Sequence, residues 1–172
     1  MACSLIGAYI LPCRDNFGGI QEVKVRVLPS SLTDYTITSG VVTIAAGSRS
    51  GWATYGLEKN TAMFNDNGAV AKENSTVVYN QELKIIFNKL TAQVRNEIVL
   101  ALIQNRLQAA VKDKNGEYWL LGYEFGLDVE SANATSGTAP ADRNGYELTL
   151  KGEERQGQIS MSAATYDSLY FA

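Results

Sequence analysis

The chain has 172 residues, a length that suits one domain, since ordinary domains hold about 100–200. Apolar residues make up 45% and charged residues 19%, which excludes a wholly disordered or collagen-like chain. The 15 Lys+Arg against 18 Asp+Glu leave −3, a poor balance for wrapping nucleic acid, and the absence of histidine excludes Ser-His-Asp and Cys-His catalysis and every imidazole metal site.

Cys3 and Cys13 are the only thiols and read as reduced cysteines of a cytosolic product. The apolar start has no positive n-region, so no signal peptide is expected. The longest apolar run, Ile98 to Ile103, is far short of the roughly 20 residues a membrane helix needs. Asn74-Ser75-Thr76 and Asn133-Ala134-Thr135 match the glycosylation pattern and read as chance.

In chain order the pattern is mostly period two, which predicts strands. Glu22 to Leu28 alternates valines with charged residues and predicts one buried and one wet face. Pro29-Ser30-Ser31 breaks that ladder. Tyr35–Thr38 and Val41–Ile44 flank Gly40 as a short hairpin or two small strands, residues 45–51 form a loop, and Trp52 to Leu57 is another strand. Asn65-Asp66-Asn67-Gly68 is turn chemistry, with an exposed loop to Asn74. Ser75 to Asn88 is the longest strand. Thr91 to Asn105 has helical spacing, with Thr91 as N-cap and a stripe of Val94, Ile98, Ala101 and Leu102. Leu107–Asp113 and Glu117–Glu124 flank Lys114-Asn115-Gly116, a strong hairpin signal. Phe125 to Glu130 continues as a strand bent at Gly126. Residues 131–144 form a long polar loop, and Tyr146–Lys151 is a clean alternating strand. No repeat or domain boundary appears. The fold class is mainly β, a β-sandwich or half-barrel, with one flanking amphipathic helix at about residues 91–105 in a single 1–172 domain.

The chemical search yields no catalytic residue, no metal site and no cofactor. Both Asn/Asp-Gly segments lack the acidic first and twelfth ligands of a calcium loop and read as turns. Glu153 and Glu154 face opposite ways on a strand. Glu124, Asp128 and Glu130 share one face of an extended segment, either as the solvated side of a strand or as an acidic stripe lining something that must not be bound tightly. Tyr118, Trp119, Tyr123 and Phe125 read first as core and second as a stacking platform. Leu5, Ile6, Tyr9 and Ile10 near one end, and Tyr166, Leu169, Tyr170 and Phe171 near the other, form apolar arms. These dock either on their own domain or on a neighbouring copy.

Residues 80–84 leading into the helix, then Lys114–Tyr123, Ser136–Ala139 and Asn144–Glu154, resemble small virion structural proteins of tailed bacteriophages of Bacteroidetes-type hosts. Within that group the chain looks most like a tail tube protein over residues 75–155. The resemblance implies a β-sandwich with a flanking helix, without catalytic residues. It implies hexameric rings, stacked into a hollow conduit for DNA entering the host and located in the virion tail after synthesis in host cytoplasm. Inner strands of neighbouring copies would join into one barrel with an acidic lumen, where Glu124, Asp128 and Glu130 are the candidates. The partners implied are further copies, then sheath, baseplate and terminator proteins, with DNA passing and no membrane insertion. Residues 45–51, 65–74 and 131–144 and both arms are candidates for ring-to-ring contacts. A terminator, connector or baseplate subunit is the nearest alternative. A monomeric ligand-binding sandwich with Trp119 and Tyr123 as platform is the other.

Overall fold

The computed structural model describes residues 16–171, so Cys3, Cys13, Leu5, Ile6, Tyr9 and Ile10 lie outside the described residues. Among the described residues eleven strands form two sheets. They are β1 (Ile20–Val27), β2 (Tyr35–Thr38), β3 (Val41–Ile44), β4 (Ala53–Gly56), β5 (Ala62–Ala71), β6 (Thr76–Phe87), β7 (Leu107–Asp113), β8 (Tyr118–Leu121), β9 (Asp128–Thr135), β10 (Gly145–Glu154) and β11 (Ile159–Met161). Two helices accompany them, α1 (Ala92–Ile103) and α2 (Ala163–Asp167). The larger sheet runs β2-β3-β11-β8-β7-β1-β4 and the smaller β5-β6-β10-β9. All pairings are antiparallel except β11 with β3, which is parallel.

The two sheets face each other across one core. Val23 and Val25 of β1, Leu107, Ala109 and Val111 of β7, and Leu121 of β8 meet Leu83 and Ile85 of β6 and Leu148 and Leu150 of β10. Period two aims each of these inward, and their burial drives the sandwich. The Asn115-Gly116 turn joins β7 to β8 as the sequence predicts, with Gly116 at φ +83°, where a side chain would be strained.

A second core lies on the far face of the larger sheet. Val42, Ile44, Trp52, Ala110, Leu120, Ile159 and Met161 are covered there by Tyr166 and Leu169 of the C-terminal segment. The predicted wet face of β1 is therefore buried. Lys24 and Arg26 are both buried, and Lys24 lies under that segment, its Nζ donating to the carbonyls of Tyr166 at 2.9 Å and Leu169 at 3.0 Å. The Tyr166 carbonyl belongs to the last turn of α2 and the Leu169 carbonyl lies just beyond its cap, a helix end where a cation is favourable. The Arg26 guanidinium lies over the Trp52 ring at 5.1 Å and donates to the Ser48 carbonyl at 2.6 Å. The alternation is as the sequence predicts, but the charged side is covered, Lys24 by a chain end 142 to 145 residues away and Arg26 by Trp52 and Ser48.

Three further expectations need correction. Asn65–Gly68 is not a turn but the middle of β5, paired from Asn65↔Glu82 to Gly68↔Tyr79, and the chain reverses at residues 72–75. Residues 131–135 belong to β9, paired with β10 by small side chains that carry little strand signal. The segment from Phe125 does not continue as a strand, because Gly122 and Gly126 take φ +68° and +86° and the strand starts at Asp128.

The helix α1 forms where predicted, and the Thr91 Oγ1 accepts from the Val94 N–H at 3.2 Å as its N-cap. It packs on β9 through Ile98 and Ala101. Its apolar residues are not confined to the predicted stripe, since Val99, Leu100 and Ile103 lie off it and are exposed, and Leu102 of the stripe itself is exposed instead of buried. Among the described residues no helix is long and apolar enough to cross a membrane.

Candidate functional site

The central strands β1, β7 and β8 of the larger sheet are covered on both faces, while β2 and β3 leave Thr36, Thr38, Val41 and Thr43 exposed, and the outer side of β5-β6-β10-β9 is an open sheet face. Strand parity decides what it presents. Phe64, Leu83, Ile85, Leu148 and Leu150 turn inward, so the residues between them turn out. Cross-strand pairing then sets rows: Met63, Lys84, Thr149 and Ser131; Asn65, Glu82, Lys151 and Asp128; Asn67, Asn80 and Glu153. The face is hollowed into a groove of about 930 Å³ lined by Asn67, Asn80, Glu82, Asp128, Lys151 and Glu153, with Phe125 and Arg155 at one rim.

Ion pairs run across the rows. Lys151 meets Glu130 at 2.7 Å and Glu82 at 3.9 Å. Glu147 meets Lys84 at 2.7 Å and Arg143 at 3.0 Å. The Lys84 and Arg143 hydrogen bonds hold the Glu147 carboxyl below the ordinary carboxylate range. The Glu130 hydrogen bond raises Lys151. These pairs are exposed to solvent, which screens them, so they order the face more than they stabilise the fold.

Of the sequence candidates, Glu130 and Asp128 lie on this face and Glu124 at its rim. They do not form a bare acidic stripe. Glu124 pairs with Arg155 at 3.2 Å, Glu130 with Lys151, and the Asp128 Oδ1 accepts the Arg106 backbone N–H at 3.0 Å. Sequence reasoning missed Glu82, Glu147 and Glu153, which join the same face from β6 and β10. The signal that finds them is the antiparallel register of those two strands. In total six carboxylates, Glu82, Glu124, Asp128, Glu130, Glu147 and Glu153, sit with four cations, Lys84, Arg143, Lys151 and Arg155.

The rim is fixed from below. Glu154, opposite in direction to Glu153 as expected, turns inward and is buried. Its carboxylate accepts three successive backbone N–H groups, from Glu124 at 3.0 Å, Phe125 at 2.9 Å and Gly126 at 3.0 Å. The Gln81 Oε1 accepts a fourth, from Gly122 at 2.8 Å.

The sheet edges are the other open feature. Neither β5 nor β9 has a strand partner on its outer edge among the described residues. The β5–β6 ladder also runs past the end of β10, which stops at Glu154↔Tyr79, so Ala69–Ala71 and Thr76–Val78 project as a two-stranded arm. On its core-facing side Val70 and Val77 are 66% and 44% exposed.

The remaining candidates divide. Tyr166 and Leu169 dock on their own domain, while Tyr170 and Phe171 stay exposed. Tyr118 and Tyr123 pack on the second core, Tyr118 at 4.9 Å from the Tyr166 ring and Tyr123 edge-on to Tyr35 at 5.9 Å. Trp119 is half-buried in β8, so neither Trp119 nor Tyr123 stands free as a platform. The 45–51 segment holds a single 3-10 turn, Ala46–Ser48. Among the described residues no group of three or more acidic or thiol side chains could hold a metal ion. No known family model matches the chain, and no curated protein or solved structure matches it.

Proposed function

We propose that this chain is a structural subunit of a phage tail tube, assembling head to tail into hexameric rings that stack into a conduit for DNA. The likeness to a tail tube protein over residues 75–155 suggests the family and the ring number. The observation that carries the reading is a four-stranded sheet with one face on the core, the other wet and open, and both edges unpartnered.

Successive pairings in that sheet are all antiparallel, so β5 and β9 run in opposite directions. Rotating one copy onto the next places β9 against the neighbour's β5 as an antiparallel seam, which is a normal ladder. Such a heterologous contact closes a ring when the rotation closes. It also removes two exposed edges, which a lone chain leaves as association hazards. The hollowed face then lines the bore. It carries more carboxylates than cations, so a polyphosphate is repelled in net and held at no single point. The exposed Val70/Val77 pair and the outer side of α1 are surfaces for stacked or flanking partners, which include the sheath, baseplate and terminator proteins.

Purified protein examined by light scattering and negative-stain microscopy tests this reading. Rings and long hollow fibres are the expected result. Single rings at every concentration would transfer the chain to a terminator or connector role, and a stable monomer at every concentration would overturn self-assembly altogether.

A further inference from the structure

The turn at residues 122–126 is held between opposite charges. Its amide groups point at the Glu154 carboxylate, which is 2% exposed. Its carbonyls face the other way, where the Arg106 guanidinium donates to Phe125 O at 3.0 Å and Glu124 O at 3.4 Å. Tyr123 anchors the start of the turn on the second core, whereas Phe125 is exposed and Glu124 reaches out to Arg155. From Glu124 to Gly126 the turn therefore rests on polar bonds, and one side chain receives all three of its N–H groups.

We propose that the Glu154 carboxylate is a pH-sensitive clamp: ionised, it fixes the rim of the groove by binding three N–H groups, and on gaining a proton it releases them. A carboxylate offers acceptors on both oxygens, whereas the hydroxyl oxygen of the acid form is a donor. The proton displaces the Glu124 N–H from Oε2, and the neutral acid holds Phe125 and Gly126 more weakly, because charge-assisted bonds are about twice as strong as neutral ones. The released N–H groups then turn to water, which opens the rim carrying Phe125 and Arg155.

The charged surroundings support titration in an accessible range. Glu124 from the turn repels the Glu154 charge, and burial, the largest influence, raises its carboxyl above the ordinary value against the three N–H bonds that lower it. Arg155 is engaged by Glu124, and Arg106 lies on the carbonyl side of the turn. Tyr79 of β6 lies opposite Glu154 in register, Glu153 faces away, and Asp66 of β5 is reached through Gln81.

Hydrogen exchange of the 122–127 peptide in the intact protein, corrected for the intrinsic pH dependence of exchange, tests the clamp. Between about pH 7 and about pH 4, spanning the ordinary carboxylate value, protection in the parent should fall roughly tenfold, the loss of one charge-assisted bond. Glu124→Gln should keep this response and Glu154→Gln should abolish it. A parent without a pH response, or a response removed by Glu124→Gln, would overturn the proposal. Should Glu154→Gln fail to fold, the 13C titration of the Glu154 side-chain carboxyl in the parent takes its place. Its midpoint must coincide with that of exchange, and separate midpoints would equally sink the clamp.

Discussion

The C-terminal segment closes the second core, and removing the Tyr166 side chain should show by how much. The ring is 1% exposed and packs on Tyr118, and the Lys24 ammonium sits 4.5 Å from its centroid. Its hydroxyl donates to the Glu22 Oε1 at 3.0 Å. Truncating a buried aromatic to alanine costs about 3–5 kcal/mol. Loss of the ammonium–ring contact lies within that figure, at about 1 kcal/mol. With a urea m-value of about 2 kcal/mol per molar, Tyr166→Ala should lower the denaturation midpoint by about 2 M. Tyr166→Phe deletes only the hydroxyl bond, about 1 kcal/mol, and should lower it by about 0.5 M. Leu169→Ala, at about 3 kcal/mol, belongs between them. The assay is equilibrium unfolding under dilute conditions where scattering shows single subunits. If Tyr166→Ala unfolds with the parent there and loses stability only in the assembled state, the segment is held by a neighbouring copy and the self-docking argument fails.

Gly126→Ala should cost about 2–3 kcal/mol, because the residue holds φ +86° and an added Cβ would meet the Arg106 backbone at 2.9 Å. Its thermal midpoint should fall and the 122–127 peptide should exchange faster, whereas an unchanged midpoint would mean the turn has room to relax. Glu147 gives a prediction in pH. Its carboxyl sits below the ordinary range, so the stability it contributes is present above the unfolded value and lost as pH falls through the lowered folded one. Glu147→Gln should therefore cost about 0.5 kcal/mol at neutral pH after solvent screening and nothing in strong acid. A penalty independent of pH in urea titrations would point to packing in place of charge.

Much of the sandwich was legible because its signals are local. The Asn115-Gly116 hairpin, the Thr91 cap, the long β6 and the alternating β10 each follow from neighbouring residues. What escaped depends on distant ones. The Lys24/Arg26 face reads as wet until residues 166–169 are laid over Lys24 and Trp52 over Arg26, and periodicity says which side chains share a face without saying what covers it. Asn65–Gly68 carries turn residues yet stays extended, because β6 pairs with it residue for residue and its outer side meets water. Residues 131–135 lack β-branched bulk except at Thr135, and β10 holds them in the ladder. The parallel pairing of β11 with β3 joins residues over 100 positions apart and leaves no mark in either segment. For the open face, the sequence supplied the β9 carboxylates but neither their cations nor the acids of β6 and β10, since register alone brings these together.

An even number of strands in the smaller sheet has a consequence for how many copies a closed barrel can hold. Each copy adds one full up-down-up-down set, so the polarity at every junction is the same whether five, six or seven copies take part. With an odd set, every junction would be parallel. Polarity thus leaves the ring size free, and the bend and twist of each four-stranded wall must choose the circumference.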